Sequence, residues 1–124
     1  MFSHVTLGSN DLEQSRAFYD RVLGALGASR VRDMDGASIW AGADGGTMFI
    51  LLTPRNGEPA CVGNGLTIGF KAPDATAVDA FHAGGLDAGG SDEGAPGPRD
   101  FAPGAYAGYL RDPGGNKIMA VCFQ

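Results

Sequence analysis

Positive charge is scarce in this chain. Nine Lys plus Arg stand against fourteen Asp plus Glu, a formal charge of −5 over 124 residues. No run of Lys or Arg offsets that balance, which argues against a nucleic-acid surface, because phosphate contacts need cations. No stretch reaches about 18 consecutive apolar residues, so no spanning helix and no membrane partner are expected. The opening residues, Met1 to Leu7, have no basic segment and alternate like a strand. They therefore do not read as a secretory leader, and a cytoplasmic location is expected. Cysteine is limited to Cys61 and Cys122; two isolated cysteines in such a chain read as free thiols rather than a disulfide framework.

Glycine, by contrast, is abundant, at 21 residues, more than twice the usual share of ~7%. The glycines follow no fibrous period and interrupt aliphatic runs, which predicts many turns and close backbone approaches. Phe2–Leu7 reads as a strand. A helix should open at Ser9 or Asn10, where Asn10 with Glu13 fits a capping box, and should run towards Gly24 and Gly27, burying Leu12, Phe18, Tyr19, Val22, Leu23 and Leu26. Strands are expected over 28–32, 37–41 and 47–53, with turns at Asp35-Gly36 and Asp44-Gly45-Gly46. Residues 54–65, rich in Pro, Gly and Asn, read as a linker. The pattern then restarts: a strand over 66–72, a helix over 74–84, a short strand near 88–91, a Pro/Gly loop over 93–104, and strands over 105–111 and 117–123 around the turn Asp112-Pro113-Gly114-Gly115-Asn116.

Shifted by 63 positions, the chain aligns His4 with Thr67, Asp11 with Asp74, Ala17 with Ala80, Phe18 with Phe81 and Gly27 with Gly90. The last four pairs are identities, and the expected elements align with them. A duplicated β-α-β-β-β unit follows, in an α+β fold whose inner faces meet around a cleft. The chain divides into a first module over 1–53, the linker over 54–65, and a second module over 66–124, all within one domain.

These features resemble the glyoxalase, bleomycin-resistance and extradiol-dioxygenase superfamily, also called vicinal oxygen chelate proteins. The resemblance rests on His4 in the first strand, on Asn10-Asp11-Leu12-Glu13-Gln14-Ser15-Arg16-Ala17-Phe18-Tyr19 leading to Leu23-Gly24, and on Arg111-Asp112-Pro113-Gly114-Gly115-Asn116-Lys117-Ile118. It implies two βαβββ modules around a barrel-like cavity, homodimers, and often a central divalent metal. The metal positions it implies fall here on His4, Leu51, Thr67 and Met119. Gly65-Leu66-Thr67 and Asn116-Lys117-Ile118-Met119 depart from the family's usual His and Glu at the third and fourth of them. Divalent ions need several converging imidazoles or carboxylates, and this set offers one. The only other histidine, His82, falls within the second helix, which should cover the outside of its sheet. No metal or other cofactor is therefore expected.

His4 has two readings: a strand histidine satisfied by its neighbours, or an acid, base or hydrogen-bond donor facing the cleft. Leu51, Thr67 and Met119 are expected to line the cleft with His4. Tyr106 and Tyr109, three apart, should point to opposite faces of their strand; the resemblance favours Tyr106 as the ligand contact, and Trp40 reads either as a further contact or as core between the modules. Arg55 and Arg99 lie where the cleft should open, either to meet an anion or merely to solvate the surface. The leading expectation is a metal-free binder of a small, partly apolar molecule. The alternatives are a metal-dependent lyase, isomerase or dioxygenase of the superfamily, and a structural or regulatory dimer with a vestigial pocket.

Overall fold

Each helix begins at an aspartate, and the two aspartates are the pair aligned in the sequence. In the computed structural model, which describes residues 1–124, Asp11 Oδ1 accepts from the backbone N–H of Gln14 at 3.1 Å. Asp74 Oδ1 accepts from that of Ala77 at 2.8 Å. Each bond satisfies one of the amides that a helix start leaves unpaired. Asn10 is thus not the cap. Its side chain reaches across to the linker instead, accepting from Ala60 N at 2.6 Å and donating to Ala60 O at 3.0 Å.

The first module comprises β1 (His4–Gly8), α1 (Leu12–Gly24), β2 (Ser29–Met34), β3 (Ala37–Ala41) and β4 (Met48–Leu52). The second comprises β5 (Ile68–Lys71), α2 (Ala75–Asp87), β6 (Ser91–Pro98), β7 (Ala105–Arg111) and β8 (Lys117–Phe123). The sheets have the orders β1-β4-β3-β2 and β5-β8-β7-β6. In each, the first pair is parallel and the others antiparallel. A parallel pair requires a crossover, and α1 and α2 supply the helical part of it. The same topology thus occurs twice, as the 63-residue repeat predicts.

The main departure from the sequence reading is β6. A long Pro/Gly loop is expected over 93–104, yet residues up to Pro98 form a strand. β6 is the edge of its sheet and pairs only with β7, with register shifts around Gly94 and before Gly97. An edge strand with bulges tolerates Pro96 and Pro98, because one side of it needs no ladder donors.

Amphipathic periodicity brings both helices to one shared core. Phe18, Tyr19, Val22 and Leu23 of α1 and Val78 and Phe81 of α2 join Trp40, Phe49 and Leu51 of the first sheet and Leu110, Ile118 and Ala120 of the second. Aromatic rings run through it: Tyr19 lies 4.6 Å from Phe49, and Phe49 lies 5.4 Å from Phe70 of the other module. The modules therefore meet through their helices and the sheet faces beneath them. The opposite sheet faces stay open.

One buried polar group crosses this junction. Tyr19 donates its hydroxyl to Asp112 Oδ2 at 2.6 Å, and Asp112 also accepts from Gly114 N, Asn116 N and Asn116 Nδ2 at 3.0, 2.9 and 2.9 Å. The second Asn116 proton reaches Gly8 O at 3.2 Å, again across the modules. Burial, reinforced by the Asp112 carboxylate, pushes the Tyr19 phenol well above its usual range.

Two predictions follow from this packing. In the unfolded chain a tyrosine ionises near pH ~10, whereas Tyr19 in the fold holds its proton to higher pH. Stability should therefore be independent of this group below pH ~10 and fall above it, by up to ~1.4 kcal/mol per pH unit. Urea denaturation on either side of pH ~10 should show a shallower loss for Tyr19→Phe than for the wild type. Gly90 tests the close approach: a Cβ there would lie 2.7 Å from Arg111 O and 2.7 Å from the Phe18 ring. Gly90→Ala should cost about 1–3 kcal/mol. Gly24→Ala, with open space around its Cβ, should be neutral or stabilise by up to ~1 kcal/mol.

Candidate functional site

Strand alternation sorts the candidate residues by face. In β1, Leu7 turns into the core while His4 and Thr6 are exposed on the open face. Across the parallel pair, His4 is opposite Met48 and Thr6 opposite Ile50, so the open-face residues of β4 are Met48, Ile50 and Leu52. Leu51 is not among them. It is 0% exposed and belongs to the core, contrary to the expectation that it points with His4. Trp40 departs in the same way: it is 1% exposed, and its indole N–H donates to Asp20 of α1 at 3.0 Å.

In the second module, Phe70, Ile118, Ala120 and Leu110 face the helix. Gly69, Met119 and Tyr109 lie side by side on the open face through the pairings 69–119 and 109–119. Tyr106 falls on the helix face, where its hydroxyl donates to Asp79 of α2 at 2.7 Å. That bond holds the Tyr106 phenol above its usual range. The two tyrosines do point to opposite faces, but the open-face one is Tyr109. Only the register of β7 against β8 decides this, and the three-residue spacing does not reveal it.

Of the residues expected to form a floor together, the open faces therefore carry His4 and Met119, on different sheets, while Thr67 is exposed just before β5. His4 does not bond Thr67; its Nδ1 lies 2.8 Å from Ser3 Oγ. His82 lies on α2 as expected. It is buried, with its Nε2 2.8 Å from Asp92 Oδ1 of β6. That bond and the Gly94 amide hold the Asp92 carboxyl below its usual range.

The second open face is bordered by a cavity of about 370 Å³, lined by Val62 to Thr67, Arg111 and Lys117. Arg111 is fixed there by two bonds, Nε to Glu93 Oε1 at 2.8 Å and Nη1 to Gly115 O at 3.0 Å. Arg99 and Lys117 both stand over the Tyr109 ring, 5.4 and 5.5 Å from its centre.

The donor set can be compared with the metal the superfamily often holds. No three His, Cys, Asp or Glu side chains sit close enough to hold an ion. The open-face strand positions supply one imidazole, His4. The carboxylate beside them, Glu93, is engaged by Arg111. Thioethers and hydroxyls do not substitute for a borderline divalent ion. The residues present do not fit that metal.

Two βαβββ modules of identical topology, with helix faces joined and open sheet faces bearing the polar candidates, define the class of protein. The model of the Glyoxalase/Bleomycin resistance protein/Dioxygenase superfamily matches residues 1–120, and the chain belongs to that family. A glyoxalase/bleomycin resistance protein from Albidiferax ferrireducens T118 is 46% identical, with a TM-score of 0.90 over 98% of this chain and 97% of that one. A glyoxalase/bleomycin resistance protein/dioxygenase family enzyme from Burkholderia phytofirmans PsJN (17% identity, TM-score 0.75, 98% of each chain) shares the fold. So does a glyoxalase-related enzyme from Fulvimarina pelagi (20% identity, TM-score 0.75, 98% of this chain and 86% of that one). A search of curated proteins gave no match.

The assignment of faces in β4 predicts opposite outcomes for adjacent substitutions. Leu51→Glu buries an unpaired carboxylate and should destabilise the protein by about 3 kcal/mol or more. Leu52→Glu, on the open face, should cost less than ~1 kcal/mol. Denaturant midpoints of the two variants check this.

Proposed function

We propose that this protein binds a small, partly apolar molecule against the open faces of its sheets, without the divalent metal common in its superfamily, as a homodimer whose second copy covers those faces. The observation that carries this reading is bare apolar surface on the side away from the core. Met34, Met48 and Phe123 are exposed on open-face positions, and Val62 and Leu66 are exposed beside the linker cavity. Large apolar patches on a soluble chain mark binding sites or interfaces. Both helix faces are already spent on the shared core, so enclosure of a ligand calls for a second chain. In this reading residues 1–124 are one domain, with modules over 1–53 and 66–124 and the linker over 54–65. His4, Thr67 and Met119 contact the ligand, joined by Tyr109, and His4 is the residue able to donate or carry a proton. No helix is long and apolar enough to cross a membrane. Free Cys61 and Cys122 agree with a reducing, cytoplasmic setting.

Three measurements on EDTA-treated protein test this. Sedimentation at micromolar concentration should give about twice the chain mass of 12.7 kDa; a monomer throughout that range overturns the dimer. A thermal-shift screen of small aromatic compounds should find stabilising ligands whose effect falls with Met119→Asp, and a silent screen overturns the binding reading. Zinc or nickel titration should show no tight site. Stoichiometric binding that disappears with His4→Ala would favour metal-dependent lyase, isomerase or dioxygenase chemistry instead.

A further inference from the structure

The chain is acidic, yet the open face of its second sheet is cationic. Carboxylates within ion-pair distance engage Arg16, Arg21, Arg30 and Arg111. Of the five remaining cations, Lys71, Arg99 and Lys117 belong to this one face: Lys71 by alternation with Phe70, and Arg99 and Lys117 by their position over Tyr109. Glu93 beside them pairs with Arg111 and also feels the charge of Lys117. Free positive charge on a protein of net charge −5 is therefore concentrated where the ligand surface lies. Like charges gathered around one carboxylate repel, so the arrangement favours an anion.

The local chemistry narrows the class of anion. Arg111 is held rigidly by Nε and Nη1, and neither bond uses Nη2. Lys117 is its cross-strand partner and lines the same cavity, with its ammonium near the Tyr109 ring. The Asn64 amide and Thr67 hydroxyl, also in the lining, are engaged by no other group of the chain. Two cations and two neutral polar groups thus line a cavity whose 370 Å³ is at the small end for ligand sites. Beside the cavity, two positions along the paired strands and on the same sheet face, Tyr109 and Met119 offer a ring and a thioether.

We infer that the molecule bound here is a small organic anion, a carboxylate joined to an aromatic or otherwise flat apolar group. Its carboxylate sits between Lys117 and Arg111 Nη2, and its apolar part rests on Tyr109 and Met119. A charge-assisted bond in a partly enclosed site gives the carboxylate a clear advantage over a neutral isostere. This inference rests on the small-molecule reading above and adds the charge of the ligand to it.

The test uses the whole chain and three probes: benzoate, its neutral isostere benzamide, and inorganic phosphate. Amide chemical-shift titration followed by NMR locates the binding. Benzoate should move the signals of Thr67, Tyr109, Arg111 and Lys117, and should bind about tenfold or more tightly than benzamide. Lys117→Met should weaken benzoate about tenfold and leave benzamide unchanged. Glu93→Gln, which removes the negative charge competing for Arg111 and Lys117, should tighten benzoate several-fold, an effect that a merely structural role for these residues does not produce. Equal binding of benzoate and benzamide at this face overturns the anion inference and leaves the small-molecule reading standing. Phosphate binding as well as benzoate overturns the organic part of it. Silence of all three probes overturns the inference, and the small-molecule reading falls with it only if the wider thermal-shift screen is silent too.

Discussion

The carboxylate of Asp112 occupies the junction on which the arrangement of this protein depends. It lies in the tight turn between β7 and β8, where Pro113 and two glycines reverse the chain. Buried there, it accepts the hydroxyl of Tyr19 from the opposite module and three donors from its own turn. A buried carboxylate is tolerated only when its lone pairs are filled, and filling them requires that α1 stand against the second module. Asn116, oriented by the same carboxylate, ties the start of β8 to Gly8 at the end of β1. The shared core then forms around that contact, from both helices and the sheet faces beneath them.

Joining the modules by their helix faces has a direct functional consequence. The faces carrying His4 and Thr6 on one sheet, and Gly69, Met119 and Tyr109 on the other, are left outside the core. The protein therefore presents two open sheets rather than one closed cavity, and its chemistry has to be read face by face. The first face is largely apolar, with one imidazole and, at its edge, Arg32 opposite Ile39. The second combines an aromatic ring, a thioether and several cations. Neither assembles the carboxylates and imidazoles on which the metal chemistry common in the superfamily relies, and their contrast in charge gives each half of the duplicated unit a different contribution to recognition.

Much of the fold was legible in the residues. The repeat at 63 positions paired Asp11 with Asp74, which cap the two helices, although the capping-box pattern pointed one residue early, to Asn10; it also paired Phe18 with Phe81, which are both fully buried. Helix periodicity and the Asp-Pro-Gly-Gly-Asn turn are local patterns, governed by interactions within a few residues. The site was less legible. Leu51 and Leu52 are adjacent, equally apolar and both suited to a strand, so composition assigns neither to a face. The same ambiguity exchanged Tyr106 for Tyr109. For β6, the density of Pro and Gly hid a strand that is permitted only because it lies at the edge of its sheet.

The sequence by itself determined the order of elements and their duplication, because each depends on residue identity and short-range spacing. Tertiary structure alone decided which face each strand residue occupies, which modules' surfaces are spent on the core, and where the unpaired cations gather. Those outcomes depend on strand register and on contacts between residues about a hundred positions apart, such as Tyr19 with Asp112. Since side chains alternate along a strand, an uncertainty of one residue in register exchanges core for binding surface.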